Sequence, residues 1–158
     1  MASLLKKTEG IEQSRRRQRF NAHSNSYSSA NSQRIRIDIN SSEEYLDFQN
    51  SYLVFNMAVT GATTDVGLPA YSASAWIKEI RIKDRAGNMI SENIQDYSVL
   101  ARTAFEMNAN KEASESFLDV LEGAKGVALA TGTAIASRQY AHRPITHILG
   151  SKNYFPAH

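Results

Sequence analysis

Residues 45–105 constrain the fold most, because the spacing of apolar residues there changes from every second position to helical spacing. The stretch opens on an apolar run, Tyr52, Leu53, Val54, Phe55, Asn56, Met57, Ala58 and Val59. A loop punctuated by Gly61, Gly67 and Pro69 follows. In residues 75–83, Trp76, Lys78, Ile80 and Ile82 share one parity, and Ile77, Glu79, Arg81 and Lys83 the other. The first set is mostly apolar and the second mostly charged, which predicts a strand with one face on a core and one in water. Asp84, Arg85, Ala86, Gly87 and Asn88 predict a turn, with Gly87 able to take positive φ. The chain returns through residues 89–94, after which Ile94, Tyr97, Leu100, Ala101, Ala104 and Phe105 fall on one helical stripe. Two strands joined by a tight turn and closed by a helix are expected.

The flanking segments extend this pattern. Ile35, Ile37 and Ile39 alternate with Arg34, Arg36 and Asp38, which predicts another strand, followed by a polar turn at residues 40–44. After Phe105, Asn110 is placed to cap a second helix with Ala113, Phe117, Leu118 and Leu121 as its apolar stripe, ended by Gly123 and Gly126. Residues 127–136 are small and weakly apolar, consistent with a loop or with a strand covered by a neighbour. Residues 138–150 read as extended, with Pro144 favouring an edge or a bulge. The candidate core is Ile35, Ile37, Leu53, Phe55, Trp76, Ile80 and Ile82, with Leu100 and Phe105 packing the first helix onto the strands.

The first 33 residues belong to a different class of segment. They contain few bulky aliphatics, and Ser and Asn dominate residues 21–33, so the segment buries too little apolar surface to offset its ordering entropy. It reads as a flexible arm that orders on a neighbour. Residues 1–20 hold six basic and two acidic side chains, a local charge of +4 in a chain of net +2, so the remainder is slightly acidic at −2. Lys6, Lys7, Arg15, Arg16, Arg17 and Arg19 carry that excess. The arginine cluster has three readings: a solvated patch, a contact for nucleic acid or phospholipid headgroups, or a nuclear import signal. Aromatic residues are sparse around it, which disfavours base stacking of the single-strand type.

Signatures of chemistry are lacking. The chain has no cysteine, which removes thiolate nucleophiles, thiolate metal sites and disulfides. Gly123, Ala124, Lys125 and Gly126 do not make a phosphate-binding loop, and no Gly-x-Ser-x-Gly elbow occurs. His142 and His147 are five apart and face opposite sides of an unbroken strand, so they read as satisfied or exposed histidines. Glu112, Glu115, Asp119 and Glu122 read as a charged helix face. No enzyme activity, cofactor or metal is expected. No apolar run approaches the ~20 residues of a spanning helix, and residues 1–7 lack the apolar core of a secretion signal.

Three stretches carry a family resemblance: residues 48–55, residues 74–82, and Gly87 with Ile94, Gln95, Asp96 and Tyr97. Together they resemble the first jelly roll of the double jelly-roll major capsid proteins of tailless icosahedral DNA viruses. The Leu149, Gly150 turn and the Tyr154, Phe155, Pro156 stretch follow in the family's order. The resemblance covers roughly residues 35–156 and is one of strand content and turn placement. It implies a mainly β chain: an antiparallel jelly-roll β-sandwich over residues 34–158 with one or two short inserted helices, preceded by the arm of residues 1–33. It implies a capsid subunit in the virion shell, homotrimeric capsomers, lateral contacts with other copies and other capsid proteins, and an arm that meets an internal membrane or the genome. A full jelly roll has eight strands, and this chain supplies about half of one, so it is expected to be part of a longer chain or completed by another. The alternative reading is a small β-rich nucleic-acid-binding module anchored by the basic arm. The slightly acidic remainder weighs against it.

Overall fold

The apolar run after Tyr52 forms the first strand, β1 (Leu53–Val59), with Leu53, Phe55, Met57 and Val59 half-buried and Val54, Asn56 and Ala58 exposed. This period of two is what a pleated strand imposes on a run covered on one side. The computed structural model describes residues 17–28, 34–39, 50–60, 66–83, 90–130 and 135–146. The chain divides into two units, Met1–Leu46 and Asp47–His158.

In the second unit, β1 is followed by β2 (Val66–Leu68), α1 (Ser72–Ala75), β3 (Glu79–Lys83) and β4 (Ile90–Gln95). Then come α2 (Tyr97–Asn108), α3 (Lys111–Glu115), α4 (Phe117–Glu122), β5 (Val127–Ala130) and β6 (Ile135–His142). All pairing is antiparallel and nested: β1 with β6, β2 with β5, β3 with β4. The chain therefore doubles back on itself, each strand meeting the one equally far from the other end of the series. Phe55 opposes Tyr140 in the β1–β6 register, and their rings lie 5.8 Å apart.

The helical region follows its local chemistry. The Asn110 side chain accepts from the Ala113 N–H at 2.8 Å and caps α3, as the sequence predicts. Ser114 Oγ and Ser116 Oγ donate back to the carbonyls of Asn110 and Glu112, which competes with helical bonding and splits the expected second helix at Ser116. Gly123 ends α4 with φ of 70°. A Cβ there would fall inside contact distance of Ser72 Oγ and 2.8 Å from Tyr140 Cε1, so backbone and α1 meet only because the residue is glycine.

The main buried cluster lies among helices and turns, with Leu68 of β2 and Tyr140 of β6 buried outside it. Tyr71, Tyr97, Ala101, Phe105, Leu118 and Ala124 form the buried cluster, and none of them is in a strand. Half-buried Ile77, Ile80 and Ile94 bring the β3–β4 hairpin against it. The short α1, whose Ser72, Ala73 and Ser74 are all buried, touches α2, α4 and β6. Tyr71, just before it, has φ of 55°, a conformation that costs an ordinary residue about 1–2 kcal/mol. Its ring stacks on Phe105 at 5.2 Å and its N–H donates to the Gly123 carbonyl at 3.0 Å, which holds it there.

Several sequence expectations are corrected. Trp76 is 55% exposed: residues 72–75 form a helical turn and the strand begins only at Glu79, so Trp76 never joins the strand's inner face. Leu100 is 45% exposed, because α2 turns Tyr97, Ala101 and Phe105 inward and Leu100 falls on the other side. Ile35 is 60% exposed and Ile37 half-buried. Residues 34–39 make one isolated bridge, Ala22 to Ile37, and a single bridge supplies no layer to cover an alternating face. Leu53, Phe55, Ile80 and Ile82 are half-buried, with the expected parity. Phe105 is buried. The last strand starts at Ile135, three residues earlier than the sequence predicts, and stops at His142, with residues 143–146 outside it. The turn at residues 84–88 and everything after Thr146 lie outside the described residues. Antiparallel strands in small sheets with a few helices are what the fold amounts to.

Candidate functional site

Three ionisable or hydroxylic side chains are fully enclosed in one chain of hydrogen bonds. Glu122 ends α4, His142 ends β6 and Tyr97 begins α2, and each is at most 1% exposed. His142 Nδ1 lies 2.6 Å from Glu122 Oε2, and His142 Nε2 lies 2.8 Å from the Tyr97 hydroxyl. Two backbone groups close the ends: the Arg143 N–H donates to Glu122 Oε1 at 2.8 Å, and the Ile145 N–H donates to the Tyr97 oxygen at 2.8 Å.

The proton positions follow from counting donors. The Tyr97 oxygen accepts from Ile145, and its own proton finds an acceptor when His142 Nε2 carries none, so the arrangement that leaves no polar hydrogen unpaired has Tyr97 donating to Nε2. That makes Nε2 the acceptor and Nδ1–H the donor, aimed at the Glu122 carboxylate. Every bond then has one donor and one acceptor, as buried polar groups require. Burial raises the Tyr97 phenol well above its ordinary range; the Ile145 N–H opposes this and the negative charge of Glu122 adds to it. The phenol thus stays protonated and can keep donating. Edge-on contacts of the imidazole with the Tyr97 and Phe105 rings fill the remaining space.

A second buried pair lies beside the first on β6. Ser72 Oγ and the Tyr140 hydroxyl are 2.9 Å apart, tying α1 to the strand. The Arg138 guanidinium sits 5.2 Å from the centre of the Tyr140 ring and donates to the Asp119 carbonyl of α4. Chemically, a Glu–His–Tyr series could relay a proton. Here both imidazole nitrogens and both carboxylate oxygens are engaged within the fold, and the groups have no exposed surface from which to meet a substrate. The arrangement acts as a brace that joins α2, α4 and the end of β6. Among the described residues, no group of three or more His, Asp or Glu side chains could hold a metal ion.

The basic arm residues are distributed otherwise. Arg17 and Arg19 are exposed, while Lys6, Lys7, Arg15 and Arg16 lie outside the described residues. Within the first unit, Asp38 accepts from His23 Nε2 at 2.7 Å and from Arg36 Nε at 2.9 Å, and these two donors hold its carboxyl below the ordinary range. All three are exposed, so these surface contacts carry small energetic weight.

Sequence reasoning missed Glu122, which it assigned to a polar helix face. The signal was present: Glu122 is four residues after Leu118 and so shares its inward face, where an acid requires a partner. His142 reads in the sequence as satisfied or exposed, and it is satisfied. No protein-family model, curated protein or solved structure matches the chain. No helix among the described residues is long and apolar enough to cross a membrane.

Proposed function

We propose that the chain is a structural subunit of an icosahedral virus capsid, built on a jelly roll and assembling through lateral contacts with other copies into the shell of the virion. The observation that carries this reading is the nested antiparallel pairing, β1 with β6, β2 with β5 and β3 with β4. A jelly roll is wound in this way, as a long antiparallel hairpin folded over on itself. The half-buried inner face of β1 adds support, since such a face gains by meeting a further layer. So does the buried Glu122–His142–Tyr97 brace, which spends its polar groups on cohesion. On this reading the protein is not an enzyme, needs no cofactor, and forms homotrimeric capsomers. Negative-stain electron microscopy of the purified protein, with mass spectrometry of the intact polypeptide, tests it: shell fragments or particles with trimeric capsomers are expected. A monomer that never enters particles would sink the proposal.

The exposed Arg17, Arg19, Arg34 and Arg36 favour a contact of the first unit with an anionic surface, either the genome or an internal membrane. The same residues would serve a nucleic-acid-binding module. Replacing Arg15, Arg16, Arg17 and Arg19 with Gln should weaken retention on nucleic acid or on anionic vesicles and flatten its salt dependence. The thermal unfolding of residues 47–158 should be unchanged.

A further inference from the structure

Helix α2 is apolar on two opposite sides, and the core accounts for only one of them. At about 100° per residue, Tyr97, Ala101 and Phe105 share the buried side. Val99, Leu100, Thr103 and Met107 fall in a sector of about the same width on the far side. These four are exposed, Val99 at 65% and Met107 at 79%. A surface helix ordinarily carries polar residues there, so an apolar second stripe marks a side that is covered by something else. Only one flank of the stripe is charged, and it holds a balanced pair, Arg102 and Glu106, joined at 2.8 Å.

We propose that this outer side of α2 is a self-association surface on which two copies of the chain pair antiparallel about a two-fold axis near Thr103. Two of the stripe's apolar residues are placed symmetrically about that residue: Val99 precedes it by four positions and Met107 follows it by four, whereas Leu100, three before it, has Glu106 as its counterpart three after. A two-fold axis there sets Val99 of each copy against Met107 of the other, as an isologous interface requires. Antiparallel pairing also sets the charged flank of one helix against the same flank of its partner. Arg102 of each copy then reaches Glu106 of the other across an offset of two residues, about 3 Å of helical rise. A polyanion would meet Glu106 and a polycation Arg102, so the flank matches its own reversed image better than a partner of one charge sign. The contact is small. A helix of 12 residues is about 18 Å long, too short for one helix face to supply the roughly 800 Å² per partner of a standard interface, so the association should be weak and reversible.

Sedimentation velocity of the full chain over a concentration series tests the pairing. The wild type should pass reversibly from monomer toward dimer. Met107→Glu, Arg102→Glu and Glu106→Arg should each stay monomeric at the concentration where wild type is dimeric, with dissociation constants at least tenfold higher. All three positions are exposed, so their far-UV circular dichroism should match wild type. An equimolar mixture of Arg102→Glu and Glu106→Arg should recover the dimer, because each copy now carries one sign and the cross pairs are again opposite. A monomeric wild type, association indifferent to Met107→Glu, or a mixture no larger than its components overturns the proposal. The pairing does not rest on the shell reading. Particles that form while the mixture fails to pair would overturn this contact alone, and a pair in protein that never forms particles would do the reverse.

Discussion

Glu122→Gln is the sharpest probe of the buried brace, because it removes a charge and an acceptor while leaving the shape nearly intact. The carboxylate accepts from both His142 Nδ1 and the Arg143 N–H. A glutamine has one acceptor oxygen, so its amide N–H must face one of those donors. If the imidazole changes tautomer to accommodate it, Nε2–H then faces the Tyr97 hydroxyl, whose proton loses its acceptor. Either way one buried polar hydrogen is left without a partner, at about 1–3 kcal/mol, and a bond to a charged group worth about 1.5–3 kcal/mol is reduced to a neutral one. The expected loss is about 2–4 kcal/mol. Urea unfolding at pH 7 measures it, followed by the fluorescence of Trp76, the chain's one tryptophan, which lies in the same unit. Tyr97→Phe should cost a similar amount, since it strands the Ile145 N–H and His142 Nε2. The double variant should lose less than the sum, by about 1 kcal/mol or more, because the first change has already broken the series the second would break. Costs below about 0.5 kcal/mol, or strict additivity, would refute the claim that these groups act as one network.

Two further outcomes follow from the same geometry. The Tyr97 phenol ionises at about 10 when unfolded and only well above that when folded, so its contribution is fully present below pH ~10 and is lost as pH rises beyond it, by about 1.4 kcal/mol per pH unit; the stability advantage of wild type over Tyr97→Phe should therefore shrink in urea titrations run from pH 9.5 to 11.5. Gly123→Ala should lower stability by about 3 kcal/mol or more, read as a fall in melting temperature of several degrees, because a Cβ at φ 70° is strained and meets Ser72 and Tyr140, whereas Lys125→Ala, at an exposed site nearby, should be close to neutral.

Local periodicity and end signals were legible in the sequence itself. The parity of Ile80 and Ile82, the Asn110 cap and the Gly123 stop all depend on neighbours within a turn or on a pleat's parity, and each stands where the residues place it. Which apolar face meets the core is another matter. Leu100 and Ala101 sit side by side on α2, and only the seating of α2 against Tyr71 and Leu118 decides that alanine goes in and leucine out. Trp76 likewise has the parity of Ile80 and Ile82 but is parted from them when α1 takes up residues 72–75. The brace depends even more on tertiary contact. Tyr97, Glu122 and His142 are separated by 25 and 20 positions, and none has a local partner that would mark it as buried. A hydrogen bond across that separation exists only after the nested strands have brought the end of β6 back to α2 and α4. Sequence spacing determines what a segment can become; the closure of the chain on itself determines which of its faces is inside.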